Sequence, residues 1–265
     1  MKGLFGIILP LLLMVGGVLA IVYLRPKMLG HVREMKFMNT TTIKDLQEMY
    51  QMMVDGGMGD MFRNYVELKG VVHCDQPTHT PFSSQNVAYC SSKLSAVTQR
   101  EEQYRDNDGH YHTRTVKDEE VLSSENSSEI LLMADDSSDM RVVLDINHGC
   151  EFDVPETFDR FETVGNLGRY AYFRNFHHPR ANLLGYRMQE RTISLGQPLY
   201  VLGEAYKEGN TLHIGKPVDK DKSFIVSTKS EDQLVGKYEG NAKLALFGGI
   251  AAVVIGVLLL IARFL

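Results

Sequence analysis

Two long apolar runs bracket this chain, at residues 4–24 and 244–260, and the polar stretch between them alternates in the manner of strands. Each run has about the 20 residues a helix needs to cross a ~30 Å hydrocarbon core. The second, LALFGGIAAVVIGVLLL, meets no charge until Arg263. The first contains Pro10, which a membrane helix tolerates when neighbouring groups satisfy the freed carbonyl. It is longer than the roughly 7–15-residue core of a secretory signal and continues past Ala20 through Leu24. An uncleaved anchor is therefore expected, with a leader cleaved after Val18-Leu19-Ala20 as the alternative.

Between the runs the periodicity first reads as helix. Thr42 is placed as an N-cap with Asp45 three residues on, and Ile43, Leu46, Met49, Tyr50 and Met53 recur at helical spacing until Asp55-Gly56-Gly57. From Tyr65 the period shortens. Val66, Leu68, Val71 and Val72 around Gly70 predict a strand bulged at the glycine. Residues 95–103 and 110–121 predict a hairpin around Asp106-Asn107-Asp108-Gly109. Residues 130–133 and 142–146 predict another. Residues 150–168, which carry Pro155 and a few aromatics, are expected to be irregular or partly helical. Residues 183–193, 199–206, 211–214 and 224–227 read as successive strands, with a tight turn at Glu208-Gly209-Asn210, and 230–240 as a short polar helix. The expected class is α+β, a mainly β soluble domain between two transmembrane helices, its last four strands closing into an OB-like barrel. The expected divisions are a transmembrane helix at 1–27, a helical connector at 28–62, the β-rich domain at 63–240 and a transmembrane helix at 241–265.

Charge adds orientation. Among 265 residues, 28 Lys+Arg against 33 Asp+Glu give a net charge of −5, without the basic stripe of a nucleic-acid binder. Arg25, Lys27, Arg33 and Lys36 follow the first run and Lys237 and Lys243 precede the second, whereas Lys2 and Arg263 flank the outer ends. The positive-inside rule then puts the middle domain in the cytoplasm. Gly248, Ala252 and Gly256 share one face of the second helix and Gly16 and Ala20 one face of the first, a pattern that lets helices approach closely. Those residues are expected either to join the two runs or to support self-association.

Three cysteines, Cys74, Cys90 and Cys150, are too few for a disulfide scaffold. His110-x-His112 places two imidazoles on one strand face, with Asp106 and Asp108 nearby; His148-x-Cys150 and the His73-Cys74, His79, Cys90 group also hold ligand residue types. None has the tight C-x₂-C spacing of a zinc site, so no metal or cofactor is expected. A metal- or thiol-dependent hydrolase built on His110, His112 and a cysteine is the enzymatic alternative. His177-His178-Pro179, near Tyr170, Tyr172, Phe173 and Phe176, reads as a packed loop or as a partner-binding patch. No phosphate loop, nucleophile elbow or paired-carboxylate arrangement stands out.

The segments Tyr186-Arg187-Met188-Gln189-Glu190, Leu195-Gly196-Gln197-Pro198-Leu199-Tyr200-Val201-Leu202-Gly203-Glu204 and Phe224-Ile225-Val226-Ser227, followed by an apolar helix, resemble the GIDE domain. Val66-Glu67-Leu68-Lys69-Gly70-Val71-Val72 and Ala88-Tyr89-Cys90 extend the likeness towards the N-terminus. That domain, also called BAM for "beside a membrane", belongs to mitochondrial outer-membrane and chloroplast RING-type E3 ubiquitin ligases and their bacterial and archaeal relatives. The resemblance implies two flanking membrane helices. In the organelle ligases it also implies a domain facing the intermembrane space, opposite to the reading from basic flanks. There a RING finger follows the second helix, and its two zinc ions need eight Cys/His ligands. Here the chain reads to Leu265 with no cysteine beyond Cys150, so no RING is expected. The expected role is a non-catalytic scaffold or recognition module for membrane or envelope proteins, with ubiquitin transfer by analogy as a further reading.

Overall fold

The computed structural model describes residues 2–106, 109–127, 131–146, 149–173 and 182–264. Helix α1 (Lys2–Leu19) passes through a π-helical stretch, Ala20–Leu24, into α2 (Arg25–Phe37) without a break. Pro26, which lacks an N–H, stands directly after the π-helical stretch, and the backbone is helical on both sides of it. Helix α3 (Ile43–Asp55) has the full capping box: Thr42 Oγ1 accepts from Asp45 N–H, and the Asp45 carboxylate accepts from Thr42 N–H. Helix α4 (Glu231–Phe264) absorbs the expected short polar helix and the second apolar run into one rod. The first and last helices therefore both run across the expected divisions at 27 and 240. Two helical segments, Ile7–Phe37 and Glu231–Arg263, are long and apolar enough to span a membrane.

The strands follow in chain order as β1 (Thr40–Thr41), β2 (Arg63–His73), β3 (Thr78–His79), β4 (Asn86–Val87), β5 (Tyr89–Arg105), β6 (Tyr111–Asn126), β7 (Leu131–Ala134), β8 (Val142–Leu144), β9 (Glu151–Asp153), β10 (Glu156–Thr163), β11 (Leu183–Ile193), β12 (Pro198–Glu208), β13 (Thr211–Gly215) and β14 (Ile225–Ser227). Strands β2, β7, β8, β13 and β12 pair in that order, and β12 pairs back onto β2, closing a five-stranded barrel. Only the β8/β13 contact within it is parallel. This is the OB-like order, with the third and fifth barrel strands side by side. Val66, Leu68, Met133, Val142, Val201, Ala205 and Ile214 fill its interior, and Ile43 and Leu46 of α3 join the same cluster.

The barrel is not made from the last four strands. Its first three come from residues 63–144, and β11 belongs to another sheet. That four-stranded sheet, in the order β10-β11-β5-β6, is assembled from two insertions into the barrel, one between β2 and β7 and one between β8 and β12. Residues 150–168 are likewise not mainly irregular, since they hold β9 and the eight-residue β10. Strand β10 is an edge with most side chains exposed, so it shows no apolar alternation to read; Phe158 alone of its residues joins the cluster below. In that cluster Phe82, Leu94, Ala96, Leu167, Phe173, Tyr186 and Met188 pack one face of the sheet.

Candidate functional site

The most built part of the molecule is the junction between the apolar helices and the barrel. Along the apolar rods, α1 packs against α4 through glycines. A Cβ on Gly17 would lie 2.5 Å from the Gly249 carbonyl oxygen, and one on Gly256 would lie 2.8 Å from that of Pro10. The contact predicted between the two runs exists and uses Ala252 and Gly256 as expected, but Gly16 and Gly248 give way to their neighbours Gly17 and Gly249. Gly16 and Gly248 face open space, and the buried stripe runs through Gly17, Gly249 and Gly256, flanked by Ala252 and Val253. Gly256 thus packs within the chain, against Pro10 and Met14.

Beyond the apolar run, Val32 and Met35 of α2 and Leu234 and Tyr238 of α4 pack on the outside of the barrel against Tyr200, Leu202 and Ile225. Polar ties lock this layer. Glu67, 1% exposed, points outward from β2. It accepts from Tyr200 Oη at 2.9 Å and from Thr40 Oγ1 at 2.7 Å, with Lys69 Nζ 3.1 Å away. Glu34 accepts from Tyr65 Oη at 3.2 Å and from the Ser223 N–H at 3.3 Å, while His31 Nδ1 and Ser223 Oγ lie 2.6 Å apart. Glu151 accepts from Tyr238 Oη at 2.5 Å, and Asp153 takes both Lys229 and Lys237. These ties connect α2 to β2 and the loop before β14, and α4 to β9, so the barrel is held against the helices from several directions.

A cleft of about 660 Å³ opens in this junction, between one face of the first helix (Tyr23, Lys27, Gly30, His31), Glu151 and the 220–224 segment. At the opposite extreme stands the β5–β6 hairpin. Strand β11 pairs with β5 only as far as Thr98, whereas β5 and β6 remain paired out to Arg105↔Tyr111. Among the described residues, the far end of the hairpin therefore projects as a two-stranded ribbon with no third strand beside it. Its side chains organise one another: Arg105 lies over the Tyr111 ring at 5.6 Å, Arg114 over Tyr104 at 5.5 Å, and His112 stacks on Tyr104. Tyr111 is 74% exposed, a large aromatic with no burial to explain it.

The sequence-derived candidates do not assemble into one site. His112 Nε2 is 2.7 Å from Asp106 Oδ2, and the His110 N–H donates to Asp106 Oδ1, so both histidines organise the hairpin turn. Cys150 stands at the barrel end before β9, near Tyr89, whose ring meets Phe152. Between Tyr89 and Tyr104 lies roughly 50 Å of strand at about 3.3 Å per residue, so His112 and Cys150 sit far apart. Burial pushes the Cys150 thiol up to about 12 and the Cys90 thiol up to about 11, the reverse of an activated nucleophile. Among the described residues no group of three His, Cys, Asp or Glu is placed to hold a metal ion. His148, His177, His178 and Phe176 lie outside the described residues.

Three buried carboxylates, none of them among the sequence-derived candidates, carry the architecture. Glu67 anchors the junction as above. Glu190, fully buried, accepts the Phe82 N–H at 2.6 Å and the Ser83 N–H, fixing the 80–85 turn over the second sheet. Glu204 pairs with Arg63 at 2.7 Å and accepts the Val218 N–H at 2.8 Å. Each sits inside a segment on which the GIDE resemblance rests, and so does Gly203, where a Cβ would meet Phe224 Cδ2 at 2.8 Å. A carboxylate within a strand pattern was the available signal.

Residues 99–261, more than half of the chain, match the GIDE family, described as an E3 Ubiquitin ligase family. A curated relative, E3 ubiquitin-protein ligase SPL1 of Arabidopsis thaliana, is 30% identical over 107 residues, which is 40% of this chain. The match spans 30% of the length of that relative. No solved structure matches the chain.

Proposed function

This chain belongs to the GIDE family, and from that premise we propose that it is a two-span membrane protein whose GIDE domain acts as a non-catalytic recognition module for partner proteins at the membrane surface. The observation that carries this reading is the projecting β5–β6 ribbon. It combines exposed Tyr104 and Tyr111 with arginines preset over their rings, the residue types that anchor protein interfaces. A barrel tied to two helices at once is a rigid platform for such a ribbon. The relative is named for ubiquitin ligation; for this chain we assign the membrane-bound recognition half of that chemistry, the part that an anchored barrel with a projecting ribbon can serve. Basic residues next to the apolar runs favour a cytoplasmic domain.

The test is site-specific photo-crosslinking in native membranes. A photoreactive residue at Tyr111 should give discrete heavier adducts, and one at exposed Val218, away from the ribbon, should give none. Identical patterns from both positions, or none from Tyr111, would refute the assignment. A cysteine at Thr113 shielded from an impermeant reagent until cells are permeabilised is the expected orientation result.

A further inference from the structure

The cleft at the helix–barrel junction has a lining that no part of the recognition role uses. Tyr23, Lys27, Gly30, His31 and Glu34 fall on one face of the continuous first helix. The apolar run ends at Leu24, so Tyr23 marks the aromatic level of a bilayer interface and Lys27 the level just above it. The opposite wall is the 220–224 segment, which adds Lys220 and Lys222.

The charges on these walls are not equally engaged. Glu34 already accepts from Tyr65 and Ser223, and Glu151 from Tyr238. Lys222 lies over the Tyr65 ring at 4.8 Å. Asp221 lies between the two loop lysines in the chain. Lys27 and Lys220 have no ion-pair or hydrogen-bond partner among the described residues. Among the described residues, two unpartnered ammonium groups thus face a cleft at headgroup depth against one unpartnered carboxylate, Asp221, while Glu34 and Glu151 are satisfied by the fold. Gly30 contributes to the same picture. Nothing lies within 4 Å of where its Cβ would be, so packing does not demand glycine. Its lack of a side chain keeps that wall clear, although glycine is the poorest helix former after proline.

We propose that this cleft is a binding site for the phosphate of a lipid headgroup, held by Lys27 and Lys220 with Lys222 at its rim. Its volume of about 660 Å³ accommodates a headgroup with part of its glycerol. Paired lysines are suited to phosphate as mobile point charges, and basic pockets beside membrane helices recognise lipid headgroups in this manner. The inference depends on the two-span membrane placement. Free phosphate shares the chemistry, and the experiment separates the two sources.

The full chain, purified in a phosphate-free detergent, is offered synthetic phosphatidylglycerol or inorganic phosphate, and occupancy is read by native mass spectrometry. Wild type is expected to retain one phospholipid per chain. The double variant K27Q/K220Q should lose at least about fivefold in occupancy. G30F should do the same by filling the cleft, with no loss of thermal stability, and K243Q, near the same depth but outside the cleft, should retain the lipid. Equal retention by wild type and K27Q/K220Q would overturn the proposal. Lysine-dependent uptake of inorganic phosphate without phospholipid would overturn the lipid source and leave a soluble phosphate site. Carbonate extraction of the same membranes tests the two-span placement separately, because a protein released by carbonate fails there whatever its lipid occupancy.

Discussion

The Tyr200 hydroxyl donates to the Glu67 carboxylate across 2.9 Å on the outer wall of the barrel, and both side chains are almost wholly buried. The contact joins β12 to β2 beneath the helices. Its charge is balanced by Lys69 Nζ 3.1 Å from the other carboxylate oxygen. Burial, and then the hydrogen bond to Glu67, push the Tyr200 hydroxyl far above the physiological range, so it remains a donor at every working pH. Y200F leaves one oxygen of a buried carboxylate without its donor. The expected loss is about 1.5–3 kcal/mol, the range for hydrogen bonds to charged groups. Denaturant unfolding in detergent measures it, and a loss below about 0.5 kcal/mol would mean that water replaces the hydroxyl.

The helix crossing gives a sharper contrast because neighbouring glycines have opposite surroundings. A Cβ at Gly17 would meet the Gly249 carbonyl at 2.5 Å, which backbone cannot yield without separating the rods, whereas Gly16 faces open space. G17A is expected to cost about 1–3 kcal/mol through overpacking. G16A should stay within about 0.5 kcal/mol. The pair G249A and G248A should repeat the difference. Thermal unfolding of the four variants in one detergent decides it, and equal effects at Gly16 and Gly17 would show that the rods cross elsewhere.

That one-residue offset illustrates how far the sequence could be read. The apolar runs, the Thr42 capping box, β12 with its turn at Gly209 and the GIDE segments were all legible, because each is encoded by neighbours within a few residues. The face of a helix that meets its partner is set by a distant rod, so a small-residue stripe could be seen while its rotation could not. Barrel membership failed for the same reason. Strand β11 reads like its neighbours, yet its partners are β5 and β10, brought by two insertions far apart in the chain. Edge strand β10 had too few buried side chains to show a period. Of the cleft, Lys27 was visible only as a membrane-flanking charge, and its meeting with Lys220 depends on how the loop before β14 folds back.

Asp153 makes the junction sensitive to acid. Its Oδ2 lies 2.8 Å from Lys229 Nζ and 2.9 Å from Lys237 Nζ, tying β9 to the start of α4. Burial alone would raise the carboxyl, but the hydrogen bonds and charges of Lys229 and Lys237 outweigh it, and the folded-state value falls below the ordinary aspartate value. A depressed folded pKa means the unfolded chain takes up the proton first. The stabilisation is therefore complete above about pH 4–5, near and above the unfolded aspartate pKa of ~3.9, and fades as pH drops through the lower folded value. Both lysines are more than a third exposed, so solvent screens the pair and its worth is about 1 kcal/mol or less. D153N should accordingly lower stability by that amount at pH 7, and the gap to wild type should close towards pH 3. It should also shrink at 1 M salt. Thermal melts of the two proteins at pH 7, 5, 4 and 3 carry the check, and a gap that widened in acid would place the pH dependence of this junction on some other group.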